Sequence, residues 1–201
     1  MTRAPLSLAQ LRARRLSRRF FARPVEAVAR GLLGCALIHA GRAAMIVEAE
    51  AYGGPADLAS HARFGVTART APMFGPPGHA YVYLCYGTHE MFNVVTGHAG
   101  QASAVLVRAA APLLGLPEDP AVAAGPGKLT RALALDRRHN ALDLLADDSP
   151  VWLARARRPP KIVCGPRVGV DYAGAWARAP LRFAWSAHPS VSRPAPRTPW
   201  P

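Results

Sequence analysis

The chain has 201 residues, 50% of them hydrophobic, and a formal charge of +13 with a pI near 11.1. That length suits one domain with a single core, and that charge does not fit an ordinary cytosolic metabolic enzyme. Of the 25 basic residues all but Lys128 and Lys161 are Arg, the better phosphate fork, so a polyanion is the natural partner unless an Arg-, Ala- and Pro-rich genome accounts for the charge.

Residues 1–23 carry seven Arg and no acid, the first acid being Glu26. Such a start reads as a mitochondrial transit peptide, a basic arm on nucleic acid, or a flexible leader. Pro24 opens a short helix that runs to residue 33 and is closed by Gly34. Residues 35–39 read as a strand, Ala40-Gly41-Arg42 as a tight turn, and residues 43–52 as the hairpin partner. In that partner, Ile46, Glu48, Glu50 and Tyr52 fall on one face by period-2 alternation, and Met45, Val47, Ala49 and Ala51 on an apolar one. Gly53-Gly54-Pro55 ends the strand, and a loop to Pro77 carries His61, Arg63, Arg69 and Met73-Phe74; a loop of this length in a compact domain is usually functional.

Residues 80–85 return as a strand, Tyr86-Gly87-Thr88 turns, and residues 91–96 and 104–109 complete an antiparallel meander with Tyr86 at the hairpin tip. Gly125-Pro126-Gly127 precedes a helix over 128–135. Residues 151–153, 162–164 and 181–185 read as short strands. The last eight residues contain four Pro and are expected not to fold. There is no internal repeat and no second-domain boundary.

Cys35, Cys85 and Cys164 are isolated and odd in number, which argues against a disulfide framework, a zinc ribbon or an iron–sulfur site and for a reducing compartment. No apolar run reaches the length of a membrane helix and no secretory signal is visible. The segment before Thr130 fails the phosphate-loop pattern, with Val122 at the first Gly and Leu129 at the Ser/Thr position. His89-Glu90-Met91-Phe92-Asn93 misses the second His of a zinc protease motif, and its turn-to-strand setting would not place His89 and Asn93 on one helical face.

Two chemical features remain. Glu48 and Glu50 sit inside an apolar strand with no basic neighbour in sequence; they are ordinary ion-pair partners, or one of them is a positioned base able to take a proton from water, and alternation does not decide which. Tyr52, Tyr81, Tyr83 and Tyr86 are partly core, yet rings in a pocket also stack an extruded base. Tyr86 before Gly87 at a tip suits a wedge between base steps.

These residues carry a resemblance. Val47-Glu48-Ala49-Glu50-Ala51-Tyr52, Ser60-His61-Ala62-Arg63, Met73-Phe74, Pro77-Gly78, Tyr81-Val82-Tyr83, Tyr86-Gly87, Phe92-Asn93, Val107-Arg108-Ala109, Gly125-Pro126-Gly127-Lys128-Leu129 and Arg167-Val168-Gly169-Val170 resemble, in order, the alkyladenine (3-methyladenine) DNA glycosylase family. The resemblance covers roughly residues 20–183. It implies an α+β fold: one mixed domain around a curved antiparallel sheet with a protruding hairpin. That domain is expected over residues 20–190; a basic leader (1–19), expected to be flexible, and a Pro-rich tail (191–201), expected to be disordered, lie outside the match. It implies a monofunctional base-excision enzyme that flips alkylated or deaminated purines from duplex DNA and hydrolyses the N-glycosidic bond.

Glu50 then matches the general base and Arg108 an Arg near the water and sugar. Tyr52, His61 and Tyr83 match pocket-lining residues, Asn93 the residue that screens purine substituents, and Tyr86 the intercalating tyrosine. Gly127, Lys128 and Arg63 are candidate phosphate contacts. Ala49 replaces the Thr common between the two Glu, and Thr88-His89 departs from the vertebrate form. No cofactor and no metal is expected. The expected setting is a monomer in a bacterial cytoplasm, associated with the nucleoid through DNA and with no membrane. The rival is a non-catalytic DNA- or RNA-binding module, which leaves Glu50 without a purpose.

Overall fold

The computed structural model describes residues 6–159 and 161–200. Nine strands make one antiparallel sheet: β1 (Cys35–His39), β2 (Arg42–Tyr52), β3 (Ala80–Cys85), β4 (His89–Thr96), β5 (Ser103–Leu114), β6 (Val151–Arg155), β7 (Ile162–Gly165), β8 (Arg182–Trp185) and β9 (Thr198–Pro199). Among the described residues four short α-helices accompany it: α1 (Leu8–Arg12), α2 (Arg18–Phe21), α3 (Val25–Leu32) and α4 (Pro126–Ala132). The expected α+β class is what is found, and the helix over 128–135 begins two residues earlier because Pro126 occupies the first turn, where its missing N–H costs nothing.

β2 organises the sheet. One edge pairs with β5 along its length; the other pairs first with β1 (Ala36↔Met45) and then with β8 (Glu48↔Ala184). The neighbour changes between Met45 and Glu48, and there the register with β5 slips twice, pairing Ile46 with Ala110, Glu48 with Ala109 and Ala49 with Val107. Val47 on β2 and Arg108 on β5 are thus each left outside the ladder.

Such bulges redirect side chains, and the alternation expected for β2 is corrected at this point. Ile46 does not share a face with Glu48; it packs with Ala49 and Ala51 against Val105, Val107 and α3, while Met45 and Val47 join Ala109, Trp185 and Val191 on the opposite side. Period-2 counting fails here because one extra residue shifts the phase.

Two more expectations are corrected by packing. Residues 6–19 are not a loose leader. Ser7 and Gln10 form a capping box for α1, Leu11 is 0% exposed, and Leu16, Phe20 and Phe21 are buried. The arginines between them donate to main-chain carbonyls, Arg15 to Leu144 and Ala146 and Arg18 to Pro77. Residues 1–5 lie outside the described residues.

The tail also folds. Val191 and Ser192 are buried, β9 pairs with β7 (Cys164↔Thr198), and Trp200 packs edge-on against Phe183 at 5.3 Å with the Arg30 guanidinium 4.3 Å over the Trp200 ring. Proline is compatible with β9 because that strand lies at the sheet edge.

Candidate active site

Glu48 and Glu50 lie on the same side of β2 and both are fully buried. Their hydrogen bonds set them apart. Glu48 Oε1 accepts from Arg108 Nε (3.0 Å), Arg182 Nε (2.6 Å) and Ser192 Oγ (2.9 Å), and its Oε2 from Ser192 N–H (2.7 Å). Glu50 Oε1 accepts from Val168 N–H (2.8 Å), with Arg108 Nη1 at 3.4 Å, and its Oε2 accepts only the Tyr52 hydroxyl (2.8 Å) among the described residues. Burial opposes the Arg108 charge, but Glu50 and Glu48 outweigh it and hold its pKa above the ordinary value. Burial, then the Glu50 charge, pushes the Tyr52 hydroxyl well above its usual range, so it donates as a neutral phenol.

A cavity of about 480 Å³ opens above this pair, within the usual range for small-molecule sites. Tyr52, Arg108 and Val168 line it, so Glu50 sits directly behind its floor. The walls are Tyr81, Tyr83, His61 and Asn93. Tyr81 and Tyr83 point the same way from β3 with ring centroids 5.3 Å apart, and His61 meets Tyr83 edge-on at 4.7 Å. His61 Nδ1 hydrogen-bonds the Tyr81 hydroxyl at 2.9 Å. Burial, then Arg69 and Arg63, drives the His61 pKa down to about 4, leaving a neutral imidazole near neutral pH. Asn93 spends both amide hydrogens on main-chain carbonyls, those of Tyr81 (2.9 Å) and Met91 (3.1 Å), so its Oδ1 is what it can offer the cavity.

Tyr86 stands at the cavity rim on the tip of the β3–β4 hairpin, 89% exposed. Tyr86 (φ 49°) and Gly87 (φ 69°) both have positive φ, and Thr88 N–H donates to Cys85 C=O, as primed hairpin turns require. A non-glycine residue in this region is uncommon. Tyr86 is therefore not a core residue.

Glu50, Arg108, Tyr52, His61, Tyr83, Asn93 and Tyr86 thus gather around one cavity. Gly127 and exposed Lys128 lie in the first turn of α4 beside rim residue Pro126. A Cβ at Gly127 would come within 2.9 Å of the His89 ring, so close packing on β4 explains that glycine. Arg63 does not line the cavity. Its guanidinium stacks between Phe64 (4.5 Å) and Tyr172 (4.8 Å) and donates to the Leu58 carbonyl.

Sequence reasoning missed the partner that fixes this floor. Arg167 pairs with Asp57 through Nη1–Oδ2 (2.6 Å) and Nη2–Oδ1 (2.8 Å), donates to Ala51 C=O (2.9 Å), and lies 4.7 Å over the Tyr52 ring. Burial works against the Asp57 charge, but Arg167 and the N–H groups of Gly53 and Ala59 hold its pKa below the usual carboxylate value. A bidentate buried pair of this kind is geometrically demanding; here it seats the loop whose next residue, Val168, donates to Glu50. The signals in the sequence are an acid just past Gly53-Gly54-Pro55 and the Arg of Arg167-Val168-Gly169-Val170.

Among the described residues no three His, Cys, Asp or Glu side chains come together as a metal-sized cluster, and no helix is long and apolar enough to cross a membrane.

Comparison with known proteins places the chain among the DNA glycosylases, hydrolases of N-glycosidic bonds. The family model described as Methylpurine-DNA glycosylase (MPG) matches residues 19–189, and the chain belongs to that family. Three curated relatives are provisionally named 3-methyladenine DNA glycosylases. That of Anaeromyxobacter dehalogenans (strain 2CP-1) is 54% identical over 90% of this chain and 87% of its own. That of Myxococcus xanthus is 49% identical over 89% and 94%, and that of Methanocella arvoryzae 44% over 90% and 97%.

Proposed function

We propose that this enzyme flips damaged purines from double-stranded DNA and hydrolyses their N-glycosidic bond with a water activated by Glu50, starting base excision repair. The observation that carries the reading is the contrast between two buried carboxylates. Glu48 is saturated with donors, whereas Glu50 Oε2 accepts a single hydroxyl behind the floor of a tyrosine-walled cavity. In the step proposed, Tyr52 and Arg108 part enough to admit the water. Its oxygen bonds to the sugar carbon, its proton passes to Glu50, and the carbon–nitrogen bond breaks with its electrons leaving on the base. Arg108 steadies the water.

The substrates proposed are 3-methyladenine, 7-methylguanine, hypoxanthine and ethenoadenine. Tyrosine faces favour the cationic alkylated bases by about 0.5–2 kcal/mol per contact, and damaged pairs are cheaper to unstack. Tyr52, His61 and Tyr83 hold the base, Asn93 screens its substituents, and Tyr86 fills the gap left in the stack. Lys128, the Gly127 turn and Arg63 take phosphates, and the net charge of +13 makes such binding strongly salt-dependent. The enzyme works as a monomer, without cofactor or metal, in the bacterial cytoplasm at the nucleoid.

A duplex carrying one hypoxanthine tests this. An alkali-labile abasic site at that position is expected, and intact strands after prolonged incubation at high enzyme concentration would overturn it.

A further inference from the structure

We propose that Glu48, locked by Ser192 of the C-terminal segment, is a positioning residue that limits how closely the Arg108 guanidinium approaches Glu50. The inference rests on the reading of Glu50 as the base.

Neither carboxylate lines the cavity, but both oxygens of Glu48 are filled by donors from Arg108, Arg182 and Ser192, which leaves none for a water. Of these four donors two come from one residue, Ser192, whose N–H and hydroxyl grip opposite oxygens at 2.7 and 2.9 Å. Arg182, the second guanidinium on Glu48, is held in turn by the tail, donating to the carbonyls of Ser192 (3.3 Å) and Pro194 (2.8 Å). Ser192 and Pro194 lie beyond the segment that matches the family, residues 19–189. The side chains of Glu48, Arg108, Arg182 and Ser192 are nearly or fully buried, so none of their pairs is a solvent-screened surface pair.

The consequence appears at Arg108. Its Nε bonds to Glu48 at 3.0 Å, but its Nη1 stops 3.4 Å from Glu50, longer than the roughly 2.7–2.9 Å of a charge-assisted hydrogen bond. A guanidinium closed fully onto a carboxylate stabilises the charged form and makes it a poorer proton acceptor. Glu48 draws the guanidinium toward itself by one edge and shares its charge. The tail fixes Glu48 so that this sharing persists while the cavity fills.

The other charged or titratable groups facing the pair are Arg182 from β8, Tyr52 on β2, Tyr83 from β3, and Arg167 over the Tyr52 ring. Of these, only Arg182 bonds Glu48 directly.

The test is single-turnover excision of hypoxanthine from duplex DNA across pH, with duplex affinity and melting temperature measured on the same samples. For Glu48→Gln the Arg108 charge falls on Glu50 alone. The acid limb of the pH–rate profile should then move down by about one pH unit, a tenfold change in proton concentration, with a lower plateau and unchanged duplex affinity. Ser192→Ala should move the limb the same way by less, and Ser192→Thr, which restores the hydroxyl, should return it toward wild type. If Glu48→Gln fails to fold, the Ser192 pair decides.

Lower melting temperatures with the limb unmoved would overturn the proposal, as would a shift to higher pH. Glu50→Gln run in parallel separates the two readings. An active Glu50→Gln sinks the base assignment itself. A dead Glu50→Gln beside unmoved Glu48 and Ser192 profiles sinks only the positioning role.

Discussion

The floor of the cavity and the tip of the β3–β4 hairpin treat their polar and aromatic groups in opposite ways. At the floor Glu50, Arg108, Asp57 and Arg167 are buried and paired with one another or with main chain. At the tip Tyr86 projects into solvent with nothing packed over it, held only by the turn beneath. Buried polar groups are costly unless satisfied, so the pairs of the floor are formed before anything binds, and only Tyr52 and Arg108 have to shift to admit the water. An exposed ring contributes little to the fold and is free to act on a partner. The difference predicts that floor substitutions separate chemistry from binding, whereas a tip substitution separates paired from unpaired substrates.

The sharpest break in that comparison is Glu50→Gln. The amide keeps the shape but cannot accept the proton, so excision should fall by about 10²–10⁴ while binding to damaged duplex persists. Single-turnover excision alongside a gel-shift titration measures both. Equal losses in the two would erase the distinction.

Next is Asp57→Ala, which strands the buried Arg167 charge and should cost about 3–5 kcal/mol of stability, read from denaturant midpoints. Asp57→Ala with unchanged stability would mean that the floor is not held as described.

Tyr86→Ala should change stability by less than about 0.5 kcal/mol, as exposed positions do. It should nevertheless slow excision from duplex much more than from a single strand, because unstacking costs a few kcal/mol per step. Equal slowing on both substrates would remove the wedge.

A further prediction concerns pH and His61. Its pKa of about 4 in the fold lies below the ordinary 6.5. As pH falls from about 6.5 toward 4 the unfolded chain takes up this proton and the folded one does not, so stability is lost across that window and no further below it. An NMR titration should show a neutral His61 ring down to pH 5, and His61→Gln should flatten that part of the stability curve. A midpoint near 6.5 would mean that the pocket is wetter than its packing suggests.

Much of this molecule was legible from residue order, and the failures have definite causes. The hairpin of β1 and β2, the meander from β3 to β5 and the tip at Tyr86 followed from alternation and from glycine placement. The faces of β2 did not, because Val47 and Arg108 leave the ladder and no periodicity announces a bulge. The leader looked loose because its arginines overshadow Leu11 and Leu16, and the tail because proline hides an edge strand. Alternation could not tell the two carboxylates apart, and only the family resemblance pointed to Glu50. Their difference depends on donors from Val168 and Ser192, 118 and 144 residues away, and on a clamp joining Asp57 to a residue 110 positions on.

The span between Glu48 and Ser192 has a consequence in time. Chains emerge from the ribosome N-terminus first, at about 5–20 residues per second. β2, which carries both carboxylates, is thus made early, while the donors that complete Glu48 arrive near the end. Contacts closing so long a loop form slowly. Both carboxylates are therefore made several seconds before Arg182 and Ser192 emerge to complete the hydrogen bonds of Glu48.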